Sequence, residues 1–299
     1  MAQPHLNAAA LPAQAELQSF ARVVAHLLAE RQVRAPGLRV VKRRAGVGIQ
    51  HLDHRDYRPG DEVRYIDWRQ TARRRRPIVR QFESESVSDW MVLLDLSSSM
   101  ALHGGAKWQA AARGAAAMSY ALLELGHRVG LLAFGGGVRA ECRSGRGRSH
   151  YAGVVRLLGS LRPATTGEPS DLGACARRLH GDASVIVFSD FLADDEMRRD
   201  LAALLERCTS LHALQVGSAT ETEATVAGEV ELVDVETGEG LAAQLDASAA
   251  GLATEQRAAM TRRLRSFCVR SGIAFTAWDV QRPWQQTLIG HLARARSVC

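Results

Sequence analysis

The stretch Met91–Met100 reads MVLLDLSSSM, an apolar run that meets Asp95 and then Ser97, Ser98 and Ser99. Alternate residues of an extended or looping segment can face one way, so the oxygens of Asp95, Ser97 and Ser99 can converge on one point. One carboxylate and two hydroxyls are hard donors. They suit Mg²⁺, which takes six oxygens in octahedral order and usually keeps some waters. No His or Cys accompanies them, which disfavours zinc and copper. A second carboxylate, Asp190, closes the apolar run SVIVFSD at 184–190. Covalent chemistry finds less support. No G-x-S-x-G surrounds the serines and no paired His is recognisable. GGAKW at 104–108 lacks the glycine spacing and the Ser/Thr of a P-loop. Metal-assisted hydrolysis would need a general base that the sequence does not name.

The elements that must position these residues begin at Asp89. Strand-like runs (WMVLLD, HRVGLLAF, SVIVFSD, SLHALQVG, IAFTAWDV) alternate with helical stretches at 107–125, 149–161, 171–180, 194–208 and about 254–271, with a final helix after the last strand. Such alternation predicts a doubly wound, mainly parallel α/β sheet flanked by helices. Gly135–Gly137 predicts a hairpin to a short antiparallel edge strand at VRAEC. Sites in open α/β sheets gather at the carboxyl ends of strands where the strand order reverses. That rule places Asp95 and Asp190 on one rim. EVELVDVETGEG at 229–240 reads as a polar hairpin, and Trp90, Trp108, Trp278 and Trp284 as core or domain-seam residues.

Before Asp89 the character differs. Residues 15–32 carry apolar residues at helical spacing, closed by Pro36-Gly37, and 38–87 read as a compact β-rich unit. The expected division is therefore 1–88, a helix with a small arginine-rich β unit, and 89–299, the α/β domain. The net charge of +6 is concentrated in the first part: residues 31–88 hold 15 Lys/Arg against 7 Asp/Glu. Such a patch can serve nucleic acid or an acidic protein surface, or it can pair with its own carboxylates. No nucleic-acid motif accompanies it and aromatic residues are 5% of the chain, so structural or protein-partner roles are preferred and nucleic acid is the alternative. His51, Asp53, His54 and Asp56 lack helical context and are read as structural rather than metal-binding.

DLSSS resembles the D-x-S-x-S signature of the metal-ion-dependent adhesion site in von Willebrand factor A-like domains. The resemblance implies a divalent cation, Mg²⁺ or another, held by Ser97 and Ser99, with Asp95 and Asp190 direct or through water. It also asks for a loop hydroxyl. SDLGACARRL at 170–179 resembles the family's Thr-Asp/Asn-Leu helix start, placing Ser170 in the threonine's position, with Thr165 and Thr166 as rivals. A phosphatase of the haloacid dehalogenase type would carry Asp-x-Asp here, and Ser97 stands where its acid/base aspartate is needed.

RDYRPGDEVRYIDWRQTARRRRPIVRQFESE at 55–85 is similar to the central motif of the domain-of-unknown-function 58 family, through Tyr57, Pro59, Gly60, Asp61, Arg64, Ile66, Asp67, Trp68, Ala72, Arg73 and Glu85. The upstream GVGIQHLDHRDY and the downstream DVETGE at 234–239 fit as well. The resemblance implies a non-enzymatic, metal-dependent adaptor or chaperone-like protein, working with a MoxR-type AAA+ ATPase on an unidentified client protein. The alternative is a Mg²⁺-dependent hydrolase or phosphatase. Arg64, Asp67 and Trp68 are expected to anchor the N-terminal unit through ion pairs and aromatic packing, and part of Arg73–Arg76 to face a partner.

Compartment signals agree with a cytoplasmic protein. No apolar run is long enough to span a bilayer, and the first residues lack the pattern of a signal peptide. The five cysteines are odd in number and widely spaced, which predicts reduced thiols rather than a disulfide framework or zinc ribbon.

Overall fold

The structure is a computed structural model and describes residues 11–34, 51–57, 66–82, 88–164, 170–179, 181–192, 194–217, 228–233, 240–245 and 247–295. The elements run, in chain order, α1 (Gln14–Arg34), β1 (His51–Asp56), α2 (Trp68–Arg74), β2 (Ile78–Phe82), β3 (Asp89–Asp95), a 3₁₀ turn (Ser98–Ala101), α3 (Leu102–Glu124), β4 (Arg128–Phe134), β5 (Val138–Gly145), α4 (Gly147–Ser160), α5 (Leu172–Arg178), β6 (Ser184–Ser189), α6 (Asp194–Leu205), β7 (Ser210–Gly217), β8 (Gly228–Val233), β9 (Gly240–Leu245), α7 (Ala247–Arg270), β10 (Ala274–Asp279) and α8 (Trp284–Ala295).

The larger unit holds a six-stranded sheet in the order β10-β7-β6-β3-β4-β5. All its pairings are parallel except β4 with β5, the expected antiparallel edge. This is the expected doubly wound α/β architecture. The central strands are apolar along nearly their whole length because both faces are covered. Along β3, Val92 and Leu94 enter the core shared with α1, α3, α4 and α8, while Leu93 enters the core shared with α5, α6 and α7. That split is the period-two alternation of a strand. The tryptophans 90, 108, 278 and 284 are buried, as expected.

The alanine content of α3 has a packing purpose. Small residues let this helix lie close to the sheet, as Gly114 shows. A Cβ there would stand 2.7 Å from the Phe188 ring and 2.9 Å from Trp278. The helix begins at Leu102, five residues before its expected start at Lys107, because the 3₁₀ turn feeds directly into it.

The boundary expected at residue 88 is corrected in one respect. The chain divides into one unit of residues 1–34 with 88–299 and a second of 35–87, so the first helix belongs to the larger unit. Leu17, Phe20 and Val24 of α1 are buried in its core, and the Phe20 ring meets Trp284 edge-on at 5.2 Å. An amphipathic helix joins whichever apolar surface it covers, and sequence proximity to the arginine-rich segment does not decide this.

The smaller unit pairs β1 with β2 in antiparallel fashion. Asp67 is buried and caps α2, accepting from the backbone N–H groups of Arg69 (3.0 Å) and Gln70 (3.1 Å). β8 pairs with β9 as an antiparallel hairpin whose first strand falls in the expected 229–240 and whose return strand, Gly240–Leu245, runs past it; 234–239 lie outside the described residues. No helix among the described residues is long and apolar enough to cross a membrane.

Candidate functional site

The sheet order reverses between β3 and β6: the chain leaves β3 toward β4 and β5, then returns to β6 on the other side. Asp95 ends β3 and Asp190 follows β6 directly. Both expected carboxylates thus stand at the switch point.

Asp95 is fully buried and organises its surroundings. Its Oδ1 accepts the Ser97 backbone N–H at 2.8 Å, and its Oδ2 accepts the hydroxyls of Ser189 at 2.6 Å and Ser170 at 3.0 Å. The Ser97 and Ser99 hydroxyl oxygens lie 3.1 Å apart, both buried. Of the two routes open to the segment, extended or looping, the chain takes the looping one. The segment does not stay extended: Ser97 is extended and the chain then closes into the 3₁₀ turn, with the Met100 N–H on the Ser97 carbonyl.

Asp190 is committed elsewhere. Its Oδ2 accepts the Lys107 ammonium at 2.6 Å, an ion pair with both side chains at most 3% exposed. Paired buried charges are costly to desolvate and hold together only when geometry is good. Two further hydrogen bonds fix the turn after β6. Gln215 Nε2 donates to the Asp190 carbonyl at 3.2 Å, and the Phe191 N–H donates to Ser189 Oγ at 2.9 Å. Phe191 itself has φ +50° and a buried ring. A bulky residue in the left-handed region costs about 1–3 kcal/mol and persists only where its surroundings over-determine it, a pattern concentrated at functional sites.

Burial, with the Asp190 charge adding to it, pushes the Asp95 carboxyl up to about 6, against the opposing hydrogen bonds from Ser189 and Ser97. A folded-state value above the unfolded one means that ionisation weakens the fold. The contribution is fully present below about pH 4 and is lost as pH rises through about 6.

The donor set of Asp95, Ser97, Ser99 and Ser170 is all hard oxygen. The 3.1 Å hydroxyl separation is close to the roughly 3.0 Å cis edge of an octahedron with Mg–O bonds near 2.1 Å. The residues therefore fit Mg²⁺ chemically, with Asp190 held back by Lys107. Among the described residues no three His, Cys, Asp or Glu side chains cluster as a metal site, as expected for a set built mainly of hydroxyls.

Of the expected site residues, the structure brings together Asp95, Ser97, Ser99 and Ser170, with Asp190, paired to Lys107, near enough for its charge to act on Asp95. Thr165 and Thr166 lie outside the described residues, as do Gly60, Asp61 and Arg64. The Tyr57 N–H donates to the Pro77 carbonyl at 2.9 Å. Trp68 is 65% exposed and Arg73 is exposed. Within the arginine run, Arg76 pairs with Asp56 at 2.9 Å on the surface. Sequence reasoning missed Lys107 and Ser189. Ser189 precedes Asp190 directly, and Lys107 is the first of only two basic Lys/Arg residues in the alanine-rich helix. Only the Ser189 signal was legible, through its adjacency to Asp190.

Fold and rim define an α/β domain whose acidic and hydroxyl groups collect at a strand-order reversal. The family is defined by direct comparison. Residues 53–263 match the family model described as "Protein of unknown function DUF58", and the chain belongs to that family. Uncharacterized proteins of Mycobacterium bovis and Mycobacterium tuberculosis are 27% identical over 261 residues, covering 84% of this chain and 81% of theirs. A solved structure, the conserved hypothetical protein BatB from Bacteroides thetaiotaomicron, is 13% identical. It covers 70% of this chain and 99% of its own, with a TM-score of 0.41.

Proposed function

We propose that the chain is a non-enzymatic, metal-dependent protein-interaction factor whose rim holds Mg²⁺ or a similar cation through Asp95, Ser97, Ser99 and Ser170. The observation that carries this reading is the convergence of those four side chains at the strand-order reversal, with two hydroxyls at octahedral spacing. When bound, the cation would supply a Lewis-acidic point that water or a partner's oxygen can still reach, since four protein oxygens do not fill six positions. The chain's own residues do the rest. Asp95 orients Ser170 and the Ser97 backbone. Lys107 neutralises Asp190, so one carboxylate charge is left to meet a divalent cation. A loaded site would then carry net positive charge and favour a partner's acidic side chain. A MoxR-type AAA+ ATPase acting on a client protein is the partner that the family resemblance suggests.

The test is metal content after dialysis, for the wild type and Asp95→Ala, paired with pull-down of the ATPase in Mg²⁺ and in EDTA. One bound cation, lost in the variant, with chelator-sensitive capture supports the reading. Metal binding with phosphatase turnover that Asp95→Ala abolishes would replace it with a hydrolase.

A second reading rests on the Lys107–Asp190 pair. In it the ammonium is the site's permanent cation and the serines form a closed structural network. No metal bound at millimolar Mg²⁺, with Asp95→Ala strongly destabilised, would favour that reading.

A further inference from the structure

Strand β10 lies at one end of the sheet and, among the described residues, pairs only with β7. Beside it runs a trough of about 430 Å³, walled by α7 on one face and α8 on the other. Arg265 and Val269 of α7, Phe275 of β10, Arg282, and Arg294 of α8 line it. Arg265 sits over the Phe275 ring at 5.8 Å. Arg294 Nη2 donates to Thr276 Oγ1 at 3.1 Å, and Thr276 is tied at 2.8 Å to buried His291, itself 3.0 Å from His212. Among the described residues none of these three guanidiniums pairs with a carboxylate. Val269 is 64% exposed at the lip. Residues 256–278 contain five arginines and no acid, with Glu255 and Asp279 at the two ends of that stretch.

We infer that this trough receives an extended acidic segment of a partner protein as an added strand on β10. An edge strand presents unpaired backbone groups that template another strand, and strand addition draws affinity from those bonds and specificity from the flanking pockets. Side chains of an added strand alternate between the two walls. Adjacent acidic residues would therefore reach Arg265 on one side and Arg294 on the other, with an apolar neighbour against Val269. Arg294 is already held in place by the Thr276–His291 chain, so less ordering entropy is lost on binding. The arginines also argue against a second copy's β10 as the occupant, because like charges would face each other across the new pairing. Single-stranded nucleic acid fits less well: of the rings lining the trough, Phe275 lies beneath Arg265 and His291 is buried, so neither offers an open stacking face. The inference is independent of the metal-site reading.

The experiment is fluorescence anisotropy of the full chain with a fluorescein-labelled eight-residue peptide of paired glutamates separated by valines. Saturable binding is expected, weakened at least tenfold in Arg265→Glu/Arg294→Glu, with the fold checked by thermal melting. The same peptide N-methylated at alternate amides keeps its charge, loses strand hydrogen bonds, and is expected to bind at least tenfold more weakly to the unmodified chain. That arm stands even if the double variant fails to fold. No binding up to about 1 mM, equal binding of the methylated peptide, or complete displacement by oligothymidine of equal charge would overturn the inference. So would a peptide-independent dimer in sedimentation that buries this edge.

Discussion

At the centre of the sheet, Lys107 and Asp190 meet at 2.6 Å beneath the surface, and the Asp95 carboxylate accepts one backbone and two hydroxyl donors. At the β10 edge, Arg265, Arg282 and Arg294 meet no carboxylate among the described residues. Burial accounts for the difference. A desolvated charge must be matched within the protein, because removing it from water costs several kcal/mol per ion. A charge at an open edge keeps its hydration and is available to a ligand. The central rim is thus built first to satisfy itself, whereas the edge trough is built with its charge unspent.

The strongest way to break this contrast is Lys107→Met, which leaves Asp190 buried without its cation. Urea unfolding should show a loss of about 3–5 kcal/mol, with much of it recovered when Asp190→Asn is added. A loss under 1 kcal/mol would mean the centre is as tolerant as the edge.

The next effect is pH-dependent. In metal-free protein, stability should decline between about pH 4 and 6 as Asp95 ionises, by an amount on the order of 3 kcal/mol for a shift from 3.8 to about 6. Asp95→Asn should flatten that slope in denaturant titrations across the window, and an unchanged slope would assign it to another group.

Asp67→Ala, outside both regions, removes a buried cap and should cost about 1 kcal/mol, read as increased amide exchange in α2. The smallest effect should come from the edge. Arg265→Gln and Arg282→Gln should each change stability by no more than about 0.5 kcal/mol. A larger shift in the melting midpoint would show that those charges are already used within the fold.

Much of the fold could be read from the chain because the signals are local. The apolar runs that became β3, β4, β6, β7 and β10 match their expected positions to within a residue or two, since fully buried strands write their burial directly as unbroken apolar sequence. Asp95 and Asp190 were placed by the same logic, through the strand ends that carry them. The α7 helix starts at Ala247, earlier than the expected 254, because its first turns, ASAAGLA, carry weak amphipathic contrast.

Residue types and spacing by themselves determined the alternation of elements, the acidic ends of β3 and β6, and the candidate ligands Asp95, Ser97, Ser99 and Ser170. Tertiary structure alone decided which charges are spent and which are free. Nothing in the chain's order links Lys107 to Asp190, 83 residues away, or sets α1 on the larger unit. It likewise leaves open that three arginines from α7, the β10–α8 turn and α8 would share one trough. Those outcomes depend on which surfaces are desolvated when helices close over the sheet, and desolvation is a property of packing in space.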